Sequence, residues 1–73
     1  MIDVVASNIR YYRKLKGLSI DKLAVLCQIE SKIIGNYELS KVEMNITNIT
    51  IIAGQLDVQA YELLIPRPPD KNK

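Results

Sequence analysis

The stretch LCQIESKIIGNYE, residues 26–38, contains the end of one helix and the start of the next. The apolar pattern of the first helix stops at Gln28, and a new pattern begins at Ser31 and places Ile34 and Tyr37 inside. Apolar residues three positions apart lie on one face of a helix. The stretch therefore predicts two short helices, at about residues 20–27 and 30–38, joined by a tight connection.

Gly35 lies in the middle of the second of these helices. Glycine in a helix interior costs up to about 1 kcal/mol relative to alanine, because its unfolded backbone has more freedom to lose. Such a penalty suggests that another helix or a ligand comes close at this position.

The segment before this stretch predicts a first helix. Val5, Ile9 and Tyr12 recur at helical spacing and form its core face, while Asn8 is expected to point elsewhere. Gly17, preceded by basic residues, is suited to end the helix.

The helix at about residues 20–27 has a clear start and a short buried face. Ser19 is suited to cap its N-terminus, and Leu23, Ala24 and Cys27 are expected to be buried. Cys27 is the single cysteine of the chain, so it cannot form an internal disulfide and is expected to be an inert buried thiol.

Two more helices are predicted after residue 44. Asn45 can cap a fourth helix, whose apolar residues recur at helical spacing: Ile46, Ile49, Ile52, Ala53 and Leu56. The chain turns at residues 57–58, and Gln59 starts a last short helix that ends at Leu64. Residues 66–73 contain all three prolines and predict a flexible tail with no core residue to anchor it.

Composition limits what the chain can be. A chain of 73 residues, 48% of them hydrophobic, forms one domain with a small core. It contains no apolar run of the kind found in signal peptides or membrane spans, so we expect a cytoplasmic protein with no membrane partner. It has no histidine and no metal-ligand spacing, which predicts no catalytic residue, no metal, no cofactor and no enzyme.

Positive charge is concentrated in residues 10–41, which carry seven Lys or Arg against three Asp or Glu. Residues 42–65 carry three acidic residues and no basic one. This polarity is expected if the basic half meets a polyanion, but an ordinary mixed surface gives a similar balance.

Five short helices, with the second and third nearly consecutive, are the layout of a helix-turn-helix, whose third helix enters the major groove of DNA. The sequence resembles the lambda-repressor/Cro-like family, often called XRE-like, most clearly in IRYYRKLKGLSIDKLA (9–24), YE (37–38) and ITNITIIAGQLDVQAYELL (46–64). The resemblance covers residues 5–64 without an insertion or deletion. It implies an all-α, compact five-helix bundle in residues 1–65 that binds double-stranded DNA as a transcriptional regulator, commonly a dimeric repressor on a two-fold operator.

The resemblance also assigns roles to residues of the predicted third helix. The base-reading positions of the family fall on Ser31, Lys32 and Asn36, whose side chains suit guanine, adenine or a phosphate. Ile33 is expected to project outward beside Lys32, where it can contact a thymine methyl group. Without the resemblance, these residues would be equally well explained as a solvated helix face.

Phosphate contacts are expected from Ser19, at the start of the second helix, and from Lys41 and the backbone of Ser40, in the loop that usually meets phosphate in this family. Arg13 and Glu38 match a pair of charges that, in this family, joins the first helix to the end of the recognition helix. We expect a partly buried ion pair, with an exposed pair as the alternative.

Several residues depart from the family pattern. Ile20 stands where Gln commonly contacts phosphate, and Glu30 takes the place of a capping Ser or Thr. Gln28 and Ser40 replace glycines that are usual in the turn and the loop, and Glu43 adds an acidic residue near the expected phosphates.

The last helix is expected to supply the dimer face through Tyr61, Leu64 and Ile65, which provide more apolar surface than one short helix can bury. A second hypothesis is a helix-turn-helix used to bind a protein partner, as in an anti-repressor or a two-protein switch. It is motivated by the small apolar patch that Ile20 and Ile33 would form on the surface, by the acidic Glu30 and by the modest net charge of +2.

Overall fold

The computed structural model describes residues 2–67, with side chains from residue 4 onward. Five α-helices follow one another in that range: α1 (Ile2–Leu15), α2 (Ile20–Cys27), α3 (Ser31–Glu38), α4 (Ile46–Gln55) and α5 (Ala60–Leu64). The described residues contain no strand. The prediction of an all-α five-helix bundle is confirmed. No helix in this part of the chain combines the length and apolar character needed to span a membrane.

The first four helices end in the same kind of turn. After each helix one residue has a positive φ, namely Gly17 (73°), Gln28 (57°), Ser40 (60°) and Asp57 (62°). The N–H of the residue that follows donates to the carbonyl five positions back, as from Leu18 to Arg13 at 3.1 Å and from Ile29 to Ala24 at 3.1 Å. These bonds satisfy carbonyls that a helix end leaves without partners. The repeated turn explains how 66 residues hold five helices with short connections.

Gln28 adopts a left-handed conformation that strains any residue with a Cβ. Gln28→Gly is therefore expected to raise the free energy of unfolding by up to about 1 kcal/mol, since relief of strain exceeds the added entropy of the unfolded chain. Gln28→Ala is the matched control and is expected to change stability little. Urea denaturation followed by circular dichroism measures both, and a loss of stability in Gln28→Gly would contradict the prediction.

The core lies where the five helices meet. α1 packs against α3 and α5, α2 packs against α3 and α4, and α4 packs against α5. Its side chains come from every helix: Val5, Ile9, Leu23, Ala24, Cys27, Ile34, Tyr37, Ile49, Ile52, Ala53, Leu56 and Leu63. One predicted core residue lies outside it, because Ile46 at the start of α4 is 60% exposed.

Asn8 does not point away from the core as expected, because it is 1% exposed. Its side-chain amide donates to three carbonyls, those of Glu62 (3.2 Å), Leu63 (3.0 Å) and Ile65 (2.8 Å). Its oxygen accepts a hydrogen bond of 2.7 Å from Arg67. Asn8 thus joins α1 to the end of α5 and to the chain beyond it.

The expectation of an unanchored tail from residue 66 is therefore wrong for its first residues. Arg67 bonds to Asn8, and its guanidinium carbon lies 4.1 Å from the centre of the Tyr11 ring. The rest of the predicted tail, residues 68–73, lies outside the described residues.

The Cys27 thiol is buried at the end of α2, and burial raises its pKa above the usual value. A raised pKa means that the folded state keeps the proton longer than the unfolded state. The contribution to stability is therefore present below a pH of about 9 and is lost as pH rises further. At pH 8 we expect Cys27 to react with a thiol reagent much more slowly in the native protein than in urea. Equal rates would contradict this.

Candidate nucleic-acid interface

The outward face of α3 carries the polar residues that the sequence singles out. Lys32 is exposed, and Ser31 and Asn36 are partly exposed. Lys32 and Asn36 are four positions apart and so lie on the same side of the helix. Among the described residues, no side-chain hydrogen bond engages Ser31, Lys32 or Asn36. Their donors and acceptors are free to meet another molecule.

Gly35 lies between these side chains on the same face. Apart from the neighbouring residues and the backbone of α3 itself, nothing lies within 4 Å of the point where a Cβ would stand. The expectation that another helix of this protein approaches Gly35 is therefore wrong, and the other expectation, that a ligand comes close there, stays a prediction. The missing side chain leaves a flat surface between Ser31 and Asn36.

Ile33 does not project outward as expected, because it is partly buried and packs against the core. Ile20 is also partly buried against the core. The two residues therefore pack mainly against the protein's own core, and little of the expected apolar surface patch remains exposed. This weakens one of the grounds for the protein-partner hypothesis, while the exposed Glu30 and the modest net charge remain. Ile33 is also a weaker candidate for a thymine contact.

Arg13 and Glu38 hold α3 from behind through two hydrogen bonds. Arg13 Nε donates to Glu38 Oε2 at 2.6 Å, and Arg13 Nη2 donates to Oε1 at 3.0 Å. The two side chains are only 10% and 4% exposed. Arg13 also donates to the carbonyl of Leu18 at 2.8 Å. Its hydrogen bond with Glu38 raises the pKa of Arg13, while burial opposes the rise, so the guanidinium stays charged.

Two contacts that the sequence does not predict also fix α3. Arg10 Nε lies 3.8 Å from Glu38 Oε1, so the Glu38 carboxylate faces two guanidinium groups. Asn48 of α4 donates to the hydroxyl of Tyr37 at 2.7 Å. The end of α3 is therefore fixed from both α1 and α4.

The expected phosphate-binding residues lie at two helix boundaries. Ser19 caps α2, and its hydroxyl oxygen accepts from the N–H of Lys22 at 3.0 Å. The backbone N–H groups of Ser40 and Lys41 donate to Tyr37 and Asn36 within the turn after α3. The expected contact from the Ser40 backbone therefore has no free N–H, and only its hydroxyl remains. Lys41 is exposed, as a phosphate contact requires.

The residues expected at a dimer face lie at the end of the chain described here. Tyr61 is 61% exposed and Ile65 is 49% exposed, while Leu64 is partly buried. Tyr61 lies in α5, and Ile65 follows directly after it in an extended conformation. Ile46 and Ile51 of α4 are also exposed, and the sequence pattern did not single them out as surface residues.

In residues 2–67, no cluster of His, Cys, Asp or Glu side chains is arranged to hold a metal ion. The outward face of α3 carries polar groups that have no side-chain partner in the described part of the chain, and the end of α5 carries exposed apolar residues.

The same arrangement of helices occurs in the crystal structure of the hypothetical transcription factor NHTF from Neisseria. The two share 34% identity and a TM-score of 0.87, over 89% of this chain and 75% of that chain. This chain belongs to the family of that transcription factor. A curated protein from Neisseria meningitidis, described as a hypothetical transcription factor, is 35% identical to it over 63 residues. The match spans 86% of this chain but only 59% of the relative's length.

Other regulators share the fold of this family. The restriction-modification controller protein C.AhdI from Aeromonas hydrophila has 29% identity and a TM-score of 0.81, over 85% of this chain and 94% of that chain. An HTH_3 family transcriptional regulator from Vibrio cholerae has 24% identity and a TM-score of 0.81, which shows the fold alone. No family model matches the chain. These relatives are transcription factors and regulators, which confirms the prediction that the chain is not an enzyme.

Proposed function

We propose that this chain is a lambda-repressor/Cro-like (XRE-like) DNA-binding regulator that acts as a dimeric repressor on a two-fold operator. The observation that carries the proposal is the face of α3. Ser31, Lys32 and Asn36 have no side-chain hydrogen bonds within the described chain, while Arg13 and Glu38 fix the helix from behind. A reading surface needs this combination of a rigid helix and unused polar groups.

In the proposed complex α3 lies in the major groove. Lys32 donates to guanine O6 or N7, Asn36 pairs with adenine, and Ser31 bonds to a base or a phosphate. Ser19, Lys41 and the hydroxyl of Ser40 contact phosphates on either side. The flat surface at Gly35 allows the helix to approach the bases closely.

The proposed dimer forms through Tyr61, Leu64 and Ile65. Tyr61 and Ile65 are among the exposed large apolar residues, and the segment 42–65 is acidic, so it would stay away from the DNA phosphates. A dimer of this kind places two recognition helices about 34 Å apart, one turn of B-DNA.

The proposal is tested by selecting bound duplexes from a random DNA pool with the purified full chain. We expect a recovered palindrome whose half-sites are about 10 base pairs apart. We also expect binding to an unrelated duplex to fall by a factor on the order of a thousand between 50 and 200 mM salt, if six or more phosphates are contacted. No binding at low salt, together with no enriched sequence, would reject a DNA-binding function.

Two lysines separate base reading from phosphate contact. Lys32→Ala is expected to cost about 1–3 kcal/mol on the selected operator and to relax preference at one base position. Lys41→Ala should weaken binding to all duplexes by a similar factor and reduce the salt slope by about one. Lys16 lies directly after α1 and pairs with Asp57. Lys16→Ala is therefore the control and should leave both quantities unchanged. Identical behaviour of Lys32→Ala and Lys41→Ala would contradict the assigned roles.

A further inference from the structure

A groove of about 420 Å³ lies along the outer face of α1, where the chain returns after α5. It is formed by one stripe of α1 and one residue of the returning chain: Ser7, Arg10, Tyr11, Lys14, Leu15 and Arg67. The groove is separate from the outward face of α3, and the function proposed above makes no use of it.

Three cationic side chains line this α1 groove, and they are poorly neutralised. In the described part of the chain, no carboxylate forms an ion pair with Lys14 or Arg67. Arg10 lies 3.8 Å from the Glu38 carboxylate, but Glu38 is already held by two hydrogen bonds from Arg13. The groove therefore has a positive charge that a negatively charged partner would complement.

Apolar surface lies between these charges. Tyr11 is 43% exposed and Leu15 is 68% exposed. Arg67 stacks over the Tyr11 ring and is held in place by its hydrogen bond to Asn8. Tyr and Arg are the residue types most enriched where protein interfaces are strongest, because they offer large contact areas and fixed polar groups.

We propose that the α1 groove is a docking site for an acidic, apolar peptide segment of another protein. Asp or Glu side chains of that segment pair with Arg10, Lys14 and Arg67, and an apolar side chain covers Tyr11 and Leu15. The groove is open along one side, whereas pockets for small ligands enclose most of their ligand. A chain segment fits an open groove better than a small molecule does.

A second copy of this chain is a poor match for the groove. Among its described acidic residues, Asp57 pairs with Lys16 and Glu62 accepts a hydrogen bond from the N–H of Gln59 at 2.9 Å. Glu38 is held by Arg13. The acidic residues left without such a contact in the described part of the chain are Asp21, Glu30 and Glu43, which lie in three separate segments and do not form one acidic stretch.

DNA is also a poor match. Phosphate groups gain nothing from contact with the apolar side chains of Tyr11 and Leu15, which would stay exposed to water. In addition, Arg10 reaches the carbonyl of Glu38 at 3.5 Å, at the C-terminal end of α3, whereas the proposed base-reading residues begin at its N-terminal end. The two ends of an eight-residue helix are about 12 Å apart.

The test is a selection of random twelve-residue displayed peptides on the purified full chain, followed by affinity measurements with the enriched peptides. We expect these peptides to carry several Asp or Glu with at least one large apolar residue. Their affinity should fall about tenfold in Lys14→Glu, since attraction becomes repulsion, and several-fold in Leu15→Glu. Both residues are exposed, so neither variant should disturb the fold.

Lys22→Glu makes the same charge change at an exposed position on α2 and should leave peptide affinity unchanged. The proposal is overturned if the enriched peptides are not acidic, or if Lys14→Glu and Lys22→Glu weaken them equally. It is also overturned if Lys14→Glu abolishes self-association of the chain, which would make a second copy the occupant, or if it weakens random-duplex binding tenfold, which would make it DNA. DNA binding through Lys32 and Lys41 is measured separately, so failure of this proposal leaves the proposed function untouched.

Discussion

Glu38→Leu is expected to lower the free energy of unfolding by about 3–5 kcal/mol, because it leaves the buried Arg13 guanidinium without its carboxylate. Arg13 is 8% exposed and would keep only its bond to the carbonyl of Leu18. Arg10, which lies 3.8 Å from the same carboxylate, would lose its partner as well. A chain of this size has a total stability of about 4–11 kcal/mol, so this single change would remove a large part of it.

Arg13→Met removes the opposite charge and should cost somewhat less, since Arg10 remains close to the Glu38 carboxylate. The double variant should be more stable than Glu38→Leu alone, because two apolar side chains of similar volume fit a buried site without an unpaired charge. The three variants form a double-mutant cycle with an expected coupling of about 2–3 kcal/mol.

Urea unfolding followed by circular dichroism at 10 °C measures the cycle, since the weaker variants should still be folded at that temperature. Lys16→Ala, which breaks the more exposed ion pair between Lys16 and Asp57, is the control and should cost less than about 1 kcal/mol. Additive losses in the Arg13 and Glu38 variants would show that the two residues act independently and would contradict the proposed coupling.

Helical spacing was enough to predict the helices, because each is a local pattern with its own start and end signals. Ser19 and Asn45 cap α2 and α4 through bonds of 3.0 and 2.8 Å to residues three positions on, which a sequence can indicate. The turns after the helices were harder to predict. Only Gly17 is a glycine, and the left-handed turns at Ser40 and Asp57 are stabilised by backbone bonds that these side chains do not reveal.

The residues of the candidate site were predicted from the family resemblance more than from the helical spacing of apolar residues. Charges alone gave no reason to pair Arg13 with Glu38, which are 25 positions apart. The expectation for Ile33 was wrong although the sequence held a signal: Ile33 and the buried Tyr37 are four positions apart in α3 and so lie on one side of it. The apolar face of α3 includes Ile33 as well as Ile34 and Tyr37, and Ile33 therefore packs against the core.

Asn8 shows why a buried polar residue is hard to predict from local sequence pattern. It lies three residues after Val5 and four before Tyr12, which is a core position by spacing, but an asparagine there suggests an exposed side. Its partners are the carbonyls at the end of α5, which lie 54 or more residues away in the chain. Nothing local indicates that the first helix must supply donors to the last.

Asn8→Asp is the second change with a large expected effect, about 3 kcal/mol of lost stability. The side chain keeps its size but loses the N–H₂ group that donates to the carbonyls of Glu62, Leu63 and Ile65, and it brings carboxylate oxygens against carbonyl oxygens. Buried acceptors left without a donor cost about 1–3 kcal/mol each when no water replaces the bond. The pairing with Arg67 offsets only part of this, because Arg67 is itself partly exposed.

Two further variants separate hydrogen bonding from packing. Asn8→Leu removes the same donors without adding charge and should cost a similar amount, whereas Ser7→Ala on the exposed neighbouring position should cost less than about 0.5 kcal/mol. Hydrogen exchange should show which helix loses stability: relative to the unmodified protein, exchange should increase more at the backbone amides of α5 than at those of α2 and α3. If the amides of α5 stay protected in Asn8→Leu, the apolar packing of Leu63 alone is enough to keep α5 in place, and the prediction for Asn8 is contradicted. If α5 opens, the proposed dimer face of Tyr61, Leu64 and Ile65 opens with it, and dimerisation should weaken in the same variant while the face of α3 stays intact.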